Sequence, residues 1–414
     1  MSSCDLRIRY GLLHALCLLF LTPLCIAAPA DNGNLKSLFD ARRWFELRDS
    51  AAGRGVPYFY QGVVACAFND THGCEKKLGA VIRSVPKSDE AVEAHKRLAS
   101  LYLTHGKYRE AVVQVNAVLA IKPEDSDALS VRPLLAALSE FPDQHLVRKH
   151  STTLQLQEGG LPFSINGVQA TYWFDTGANF SVLSESEAKR FGLRVQSVDT
   201  KASVSTGERI DFRIAVADQI SFGPIILKNV AFLVFPDDQP PFKDGSPGSR
   251  GLIGIPVLLA FERFVWTADK KFEIGLKSSE TKATRPNLCF DGNTPVVQLQ
   301  FGNRDLSFVL DTGATNTDLF PPFASAFPEL IRNSEKTDSY KMEGVGSVRN
   351  MNAAILKSVP FVIGGFPVVL KPANVLLAPT GETSKFFEGN LGIDLLQQAH
   401  KTIFDFKAMT LTLQ

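Results

Sequence analysis

Two aspartates of this sequence stand in nearly the same run of residues. Asp175 lies in "YWFDTGANFSVL" and Asp311 in "FVLDTGATNTDLF", 136 positions later, and both follow an apolar run and precede Thr-Gly-Ala. Two carboxyl groups held side by side do not both ionise readily, so they share a proton. The ionised one can take a proton from water while the protonated one supports a carbonyl oxygen. These residues predict hydrolysis by an activated water, provided that the fold brings the two aspartates together.

A second matched motif follows each aspartate. "RGLIGIPVLLAFERFVWTADKKFEI" comes after Asp175 and "EGNLGIDLLQQAHKTIFDFKAMTLTL" after Asp311, with Gly254 and Gly392 at nearly the same distance from their aspartates. Each motif predicts a short apolar helix after its glycine and then a closing strand. Paired motifs with matched flanks indicate an internal duplication. The alternating apolar residues and turn signals around them are typical of short β-strands.

These motifs resemble those of the retroviral-type aspartic peptidases and their bilobal pepsin-like relatives, over about residues 150 to 414. The resemblance implies an all-β fold of two duplicated lobes, with Asp175 and Asp311 as the catalytic pair of an aspartic endopeptidase. It also implies that Thr176 and Thr312 each hydrogen-bond the opposite loop. The substrate would be a polypeptide, and no cofactor is expected. The retroviral enzymes pair two identical chains, whereas this chain carries both halves.

Several glycines have expected roles around the two loops. A tight backbone turn that presents N–H groups to the carboxylates needs Gly177 and Gly313, and a close approach of the closing segment needs Gly254 and Gly392. The resemblance further implies glycine-containing hairpins, or flaps, that cover the site. Their expected tips, in segments that could instead be ordinary hairpins, are Gly207, Gly344 and Gly346.

Alanine follows the glycine of each loop, at Ala178 and Ala314, where pepsin-like enzymes have a hydroxyl residue. A hydroxyl would donate to the carboxylate and favour its charged form. Without it the pKa values of the pair should be less depressed, so we expect activity from mildly acidic towards neutral pH.

The region before the β segments has a helical pattern. "AHKRLASLYLTHGKYREAVVQVNAVLAIKPEDSDA" resembles a tetratricopeptide repeat, with small, aromatic, turn and stop residues at Ala99, Tyr102, Gly106, Tyr108, Ala111 and Pro123. A divergent repeat is expected before it. Two repeats are few, because such units bury their faces by stacking on neighbours. The sequence leaves two roles open for the helical region. It forms either a partner-binding groove or a structural cap on the next domain.

The predicted organisation is multidomain. It comprises a signal peptide at 1–30, tetratricopeptide-like helices at 31–145, a first aspartic-protease lobe at 146–276, a linker at 277–290 and a second lobe at 291–414. Arg7, Arg9 and the apolar run from Gly11 predict export, with cleavage near Ala30. A retained membrane anchor is the alternative. A signal peptide followed by helical repeats and a peptidase suggests the periplasm of a Gram-negative bacterium, or secretion. Membrane contact is then expected only through the signal peptide.

Charge and cysteines limit the other function classes. Lys plus Arg number 44 against 43 for Asp plus Glu, which gives no sign of nucleic-acid binding. No Cys–His spacing resembles a metal site. Cys66 and Cys74 could form a disulfide or be two buried thiols. Two competing interpretations of the whole chain are a non-catalytic envelope interaction protein with a degenerate β domain, and an enzyme active only as a dimer of chains.

Overall fold

The computed structural model describes residues 32–157, 160–203, 208–240, 242–275, 285–344 and 347–414. The predicted signal peptide therefore lies outside the described residues. Helices form the first part of the described chain and strands dominate from His145 onward, as expected. Among the described residues, no helix has both the length and the apolar character needed to cross a bilayer.

Seven helices precede the β region within the described chain. They are α1 (Asn32–Asp40), α2 (Trp44–Ser50), α3 (Tyr58–Ala67), α4 (Thr71–Ser84), α5 (Asp89–Thr104), α6 (Tyr108–Ile121) and α7 (Ser126–Leu138). Gly106 makes the turn between α5 and α6 with a φ of +68°, a left-handed conformation that glycine adopts readily. A Cβ at Gly62 would collide with Leu78, so glycine permits the close approach of α3 and α4. A disulfide joins Cys66 in α3 to Cys74 in α4.

An eight-stranded sheet builds the first lobe, with strand order β1-β8-β5-β9-β4-β3-β7-β6. Its strands are β1 (His145–Arg148), β3 (Leu161–Ile165), β4 (Val168–Phe174), β5 (Ser181–Ser184), β6 (Val195–Ser203), β7 (Arg209–Phe222), β8 (Ile225–Phe235) and β9 (Gly251–Ile253). Two short helices belong to this lobe, α8 (Glu185–Arg190) and α9 (Ile255–Ala260). Alternating burial along β3 and β4 directs one face of the sheet into the core.

The second lobe repeats this plan. Its sheet runs β16-β17-β20-β15-β21-β14-β13-β18-β19, with β12 paired to β13. The strands are β12 (Leu288–Asp291), β13 (Thr294–Phe301), β14 (Arg304–Leu310), β15 (Asp318–Leu319), β16 (Glu335–Gly344), β17 (Ser347–Leu356), β18 (Val359–Ile363), β19 (Phe366–Leu370), β20 (Ala373–Leu376) and β21 (Gly389–Leu391). Its helices are α10 (Pro321–Ala326), α11 (Pro328–Arg332) and α12 (Ile393–Leu396).

The start of the second lobe differs from the predicted boundary. The segment 277–290 is predicted above as a linker, but its last residues form β12, which pairs with β13 from Leu288 onward. The side chains of Leu288 and Phe290 are buried. These apolar residues join the core of the lobe, so the strand begins before residue 291.

A separate five-stranded sheet joins the two lobes. Its order is β2-β11-β10-β22-β23, with β2 (Thr152–Gln155), β10 (Arg263–Thr267) and β11 (Lys271–Ile274) from the first lobe and β22 (Lys401–Asp405) and β23 (Thr410–Leu413) from the second. The closing strands β10 and β22 pair antiparallel, with Val265 opposite Ile403. Stacked rings of Phe264 and Phe404 lie on this junction. The duplicated halves therefore share backbone hydrogen bonds as well as a core.

The helical region packs on both lobes. Buried residues of α1 to α5 form one cluster with second-lobe residues that include Val296, Phe320 and Leu376. Buried residues of α5 to α7 form another cluster with first-lobe residues that include Val182 and Phe212. The helices thus bury apolar faces against the domain that follows.

Candidate active site

The two Asp-Thr-Gly loops have the same backbone support. The Asp175 N–H donates to the Ile253 carbonyl at 2.8 Å, and the Asp311 N–H donates to the Leu391 carbonyl at 3.0 Å. Each aspartate follows a buried strand, β4 or β14, that runs parallel to β9 or β21. The end of the glycine-bearing strand therefore fixes the position of each aspartate.

Two buried threonines connect the loops reciprocally. The Thr176 hydroxyl donates to the Leu310 carbonyl at 2.7 Å and accepts from the Thr312 N–H at 3.0 Å. The Thr312 hydroxyl donates to the Phe174 carbonyl at 2.8 Å and accepts from the Thr176 N–H at 3.0 Å. Each threonine hydroxyl thus makes two bonds to the opposite lobe. The bonds hold the two loops face to face at a fixed separation.

This arrangement brings Asp175 and Asp311 together. Each of the two half-buried carboxyls lies against the glycine of the opposite loop. A Cβ added at Gly177 would lie 2.7 Å from the carboxyl carbon of Asp311, and one at Gly313 would collide with the Asp175 carboxyl. Glycine is therefore required in each loop because the opposite carboxylate fills the space that a side chain would need.

Backbone donors point at both carboxyls. The Gly177 N–H donates to Asp175 Oδ1 at 2.8 Å, and the Gly313 N–H donates to Asp311 Oδ1 at 3.0 Å. Burial, followed by the negative charge of Asp311, raises the pKa of Asp175 well above its ordinary value. A pair of this kind holds one proton across a wide pH range, which is the state needed for combined acid and base action.

Gly254 and Gly392 lie directly behind the loops. A Cβ at Gly254 would stand 2.8 Å from the Ala178 carbonyl oxygen, and one at Gly392 would stand 2.9 Å from that of Ala314. Both glycines have extended backbones, so a lack of space, and not an unusual φ, requires glycine. Each begins a short helix, whose first N–H donates to that same carbonyl at 2.9 Å.

Comparison with known proteins finds two similarities. Residues 161–257 match the family model for aspartyl proteases. The first lobe is thus similar to aspartyl proteases. A crystal structure of a retropepsin-like aspartic protease from Rickettsia conorii is similar over 27% of this chain and 81% of that chain, with 18% identity and a TM-score of 0.21. No curated protein matches.

The predicted order of a helical region followed by a two-lobed, β-rich region is confirmed. The family match ends at residue 257, and the second lobe resembles the first in its hydrogen bonds. The same bonds recur in both lobes: reciprocal threonines, an aspartate held by the strand before the glycine, and a glycine behind each loop.

The predicted flap glycines fall mostly outside the described residues. Gly207 and Gly346 are not described, and Gly344 ends β16, opposite Ser347 of β17. The flanking strands form long antiparallel hairpins in both lobes, β6–β7 and β16–β17. Each hairpin has one register shift, between Ser197 and Lys201 in the first lobe and between Thr337 and Tyr340 in the second. A bulge of this kind bends a hairpin and increases its twist.

Sequence reasoning missed three polar groups of the two lobes. The Asn390 amide donates to Asp311 Oδ2 at 2.9 Å, and the Trp173 indole donates to the Thr312 carbonyl at 2.6 Å. The Tyr340 hydroxyl donates to the buried Asp318 carboxyl at 2.6 Å. A signal for the first was present, because aligning "GLIG" with "GNLG" sets a polar residue against a leucine.

Within the described ranges, no cluster of His, Cys, Asp and Glu side chains has the composition needed to hold a metal ion. The residues around the dyad are instead threonines, glycines and backbone amides. This environment suits a shared proton between carboxyls.

Proposed function

We propose that this protein is an exported aspartic endopeptidase in which Asp175 and Asp311 together activate a water that attacks a peptide carbonyl. The observation that carries the proposal is the reciprocal pair of threonine bonds between the lobes. That geometry supports a close approach of the two carboxyls within one chain. The aspartyl protease match of residues 161–257 gives independent support for the reaction class.

The two-lobe design supports a single chain as the active unit. Both aspartates come from one polypeptide, and the sheet that joins the lobes is built from strands of the same chain. Activity that elutes with the monomer in gel filtration would agree with this. Activity confined to a larger species would favour the alternative, a dimer of chains.

The decisive experiment replaces each aspartate with asparagine. Asp175→Asn and Asp311→Asn remove the ionisable group with little change of volume, and general acid–base catalysis contributes about 10²–10⁴-fold to a rate. We expect each change to reduce hydrolysis of a denatured protein substrate at least a hundredfold. Any hydrolysis that remains in the variants should not be inhibited by pepstatin. Asp305→Asn, the same change at an exposed position of β14, is the matched control and should retain full activity.

A specific result would favour the competing function. Wild-type protein that is folded and monomeric, yet inactive on denatured substrates between pH 3 and 7, would support the non-catalytic envelope interaction protein. In that case the helical repeats would be the functional part. The intact pair of Asp-Thr-Gly loops argues against this alternative, since an inactive relic has no need of either carboxylate.

The helical region is proposed to act chiefly as a structural cap. Its buried clusters with both lobes support this role. Gln144 adds a polar link, because its N–H donates to the Gly106 carbonyl at 3.0 Å and its side-chain amide donates to the Pro256 carbonyl at 2.8 Å. Partner binding through the remaining helical surface stays a prediction, to be tested with immobilised peptides.

Export rests on the N-terminal sequence and on the disulfide. Cys66 and Cys74 are bonded, and disulfides persist in oxidising compartments such as the periplasm. Mass spectrometry of protein recovered from the periplasm of a Gram-negative host should show a mature chain that begins near Asp31. Full-length chain in the membrane fraction would instead indicate a retained anchor.

A further inference from the structure

The strands before the two glycines carry different residues at matched positions. In the first lobe Leu252 of β9 lies opposite Trp173 of β4, and in the second Asn390 of β21 lies opposite Val309 of β14. Both positions come two residues before the glycine behind the loop. Leu252 and Asn390 are therefore structural equivalents, one apolar and one an amide.

The amide of Asn390 contacts the catalytic loop of its own lobe. Its Nδ2 donates to Asp311 Oδ2 at 2.9 Å. The other oxygen of that carboxyl accepts from the Gly313 N–H at 3.0 Å and from the Ala314 N–H at 3.1 Å. Both oxygens of Asp311 thus have donors within their own lobe. Leu252, beside Asp175, has no polar group to offer.

Donors aimed at a carboxyl stabilise its charged form, and two touching carboxyls do not both ionise readily. We propose, building on the peptidase function above, that Asn390 biases the shared proton onto Asp175, so that Asp311 is the base and Asp175 the acid of the dyad. Asn390 is then a positioning residue, because it acts on the shared proton through its hydrogen bond to Asp311. The burial of Asp175 beside a charged Asp311, which raises its pKa, agrees with this assignment.

The assignment fixes the direction of each proton transfer. In the first step a water O–H bond breaks, its proton goes to Asp311, its oxygen bonds to the peptide carbon, and the Asp175 proton goes to the former carbonyl oxygen. In the second step the C–N bond breaks and the Asp311 proton goes to the leaving nitrogen. One hydroxyl of the diol returns a proton to Asp175. Both aspartates regain their starting states.

The other ionisable groups near the Asp311 loop are committed elsewhere. Asp318, on the strand after the loop, accepts from the Tyr340 hydroxyl, and Asp394, on the helix behind it, accepts from the Thr317 hydroxyl. Glu388, just before β21, accepts from the Ser307 N–H. Asp175 is the carboxyl that lies against the Asp311 loop, since a Cβ at Gly313 would collide with it.

Two substitutions at position 390 test the proposal. Asn390→Leu copies the first lobe, and Asn390→Asp keeps the shape of the side chain while replacing the donor with an acceptor. Loss of a hydrogen bond to a charged group costs about 1.5–3 kcal/mol, or roughly one to two pH units in the titration of that group. We expect the acidic limb of the kcat/KM–pH profile to move upward by at least one unit in both variants.

Two outcomes would overturn the assignment. A uniform loss of kcat/KM at every pH would show that Asn390 only contacts substrate or supports the fold. A downward shift of the acidic limb would show that its amide favours the protonated form of Asp311, which reverses the roles. Asn352→Leu, a change of the same type at an exposed position of β17, is the control for a general effect on this lobe and should leave the limb in place.

A second measurement does not depend on activity. In Asp175→Asn protein with carbon-13 label in the aspartate carboxyls, the Asp311 signal is assigned from its loss in the Asp175→Asn/Asp311→Asn protein. Adding Asn390→Leu should move the Asp311 titration upward by at least one pH unit. If Asn390→Leu leaves the Asp311 titration unchanged, the inference about Asn390 is wrong. If the titration moves but the wild-type protein is inactive, only the proposed function is wrong.

Discussion

The two lobes keep the same backbone frame but differ in the side chains that face each other beside the Asp-Thr-Gly loop. In the first lobe Val182 of β5 lies opposite Leu252 of β9, and both belong to the apolar cluster formed with α5 to α7. In the second lobe Asp318 of β15 lies opposite Asn390 of β21. One apolar pair has become a polar pair at the same register.

Because of this difference, the two pairs contact different parts of the molecule. The apolar pair joins the first lobe to the helical region, whereas the polar pair joins the Asp311 carboxyl and the β16–β17 hairpin, through Asn390 and Tyr340, to the strands around the loop. A duplicated scaffold can therefore keep the bonds that place two carboxyls together while its halves take on separate tasks. The contrast predicts which substitutions should act alike in the two lobes and which should not.

The largest effect should come from breaking the bonds that the lobes share. Thr176→Val and Thr312→Val keep the shape of the side chain but leave a buried carbonyl and a buried N–H of the opposite loop without partners. Each unsatisfied buried group costs about 1–3 kcal/mol. We expect each variant to lose about 2–5 kcal/mol of unfolding free energy and at least tenfold in kcat/KM, measured by urea unfolding and peptide hydrolysis.

The serine variants supply the control for this prediction. Thr176→Ser and Thr312→Ser retain the hydroxyl and should lose much less on both measurements. The two valine variants should also resemble each other, because the four bonds are reciprocal. A large difference between them would contradict the symmetry of the frame.

A smaller effect, specific to the second lobe, concerns the buried carboxyl of Asp318. Burial raises the pKa of Asp318 to about 6, opposed by the hydrogen bond from Tyr340. The folded protein keeps this proton at pH values where the unfolded chain releases it, so stability falls as pH rises from about 4 to about 6 and the cost is complete above that range. The cost is at most about 3 kcal/mol. Val182 at the matched position has no such dependence.

Asp318→Asn should remove that part of the pH dependence. Urea unfolding at pH 4 and pH 7.5 should show a smaller loss of stability with rising pH in the variant than in the wild type. Tyr340→Phe should act in the opposite direction, because the tyrosine hydroxyl stabilises the ionised carboxylate. Identical slopes for all three proteins would refute the role of this carboxyl. Asp305→Asn, on an exposed part of the same lobe, serves as the control.

The sequence predicts the bonds that both lobes share. It does not predict that an apolar pair in the first lobe is replaced by a polar pair in the second. Asp175, Asp311, the threonines and the glycines are constrained by backbone geometry, so both copies retain them and a comparison within one sequence reveals them. The Asp318–Tyr340 bond joins residues from different strands, and its partners are set by tertiary packing. No spacing in the chain predicts such a contact. The same holds for the Trp173 indole, which reaches the opposite lobe where Val309 cannot.

The helical region shows a similar division. The turn at Gly106 and the end of α6 before Pro123 follow from local residue types. Asp394, by contrast, has the type of a helix cap but lies within the first turn of α12, because Gly392 occupies the cap position. The packing of the helices on both lobes depends on the shape of surfaces that are distant in sequence, so their small repeat number predicts only that a neighbour is needed.

The smallest expected effect concerns the first-lobe hairpin. The Thr200 hydroxyl donates to the Ser130 carbonyl at 2.7 Å, and the Arg209 guanidinium donates to the Ser130 hydroxyl at 2.9 Å, so α7 holds the strands β6 and β7. Ser130→Ala removes only the second bond. A hydrogen bond on a half-exposed surface contributes about 0.5–1.5 kcal/mol. We expect faster deuterium uptake in β6–β7 with little change in β16–β17, whose anchor is Tyr340. Tyr340→Phe should give the reverse pattern, and equal uptake changes in both hairpins would contradict separate anchoring.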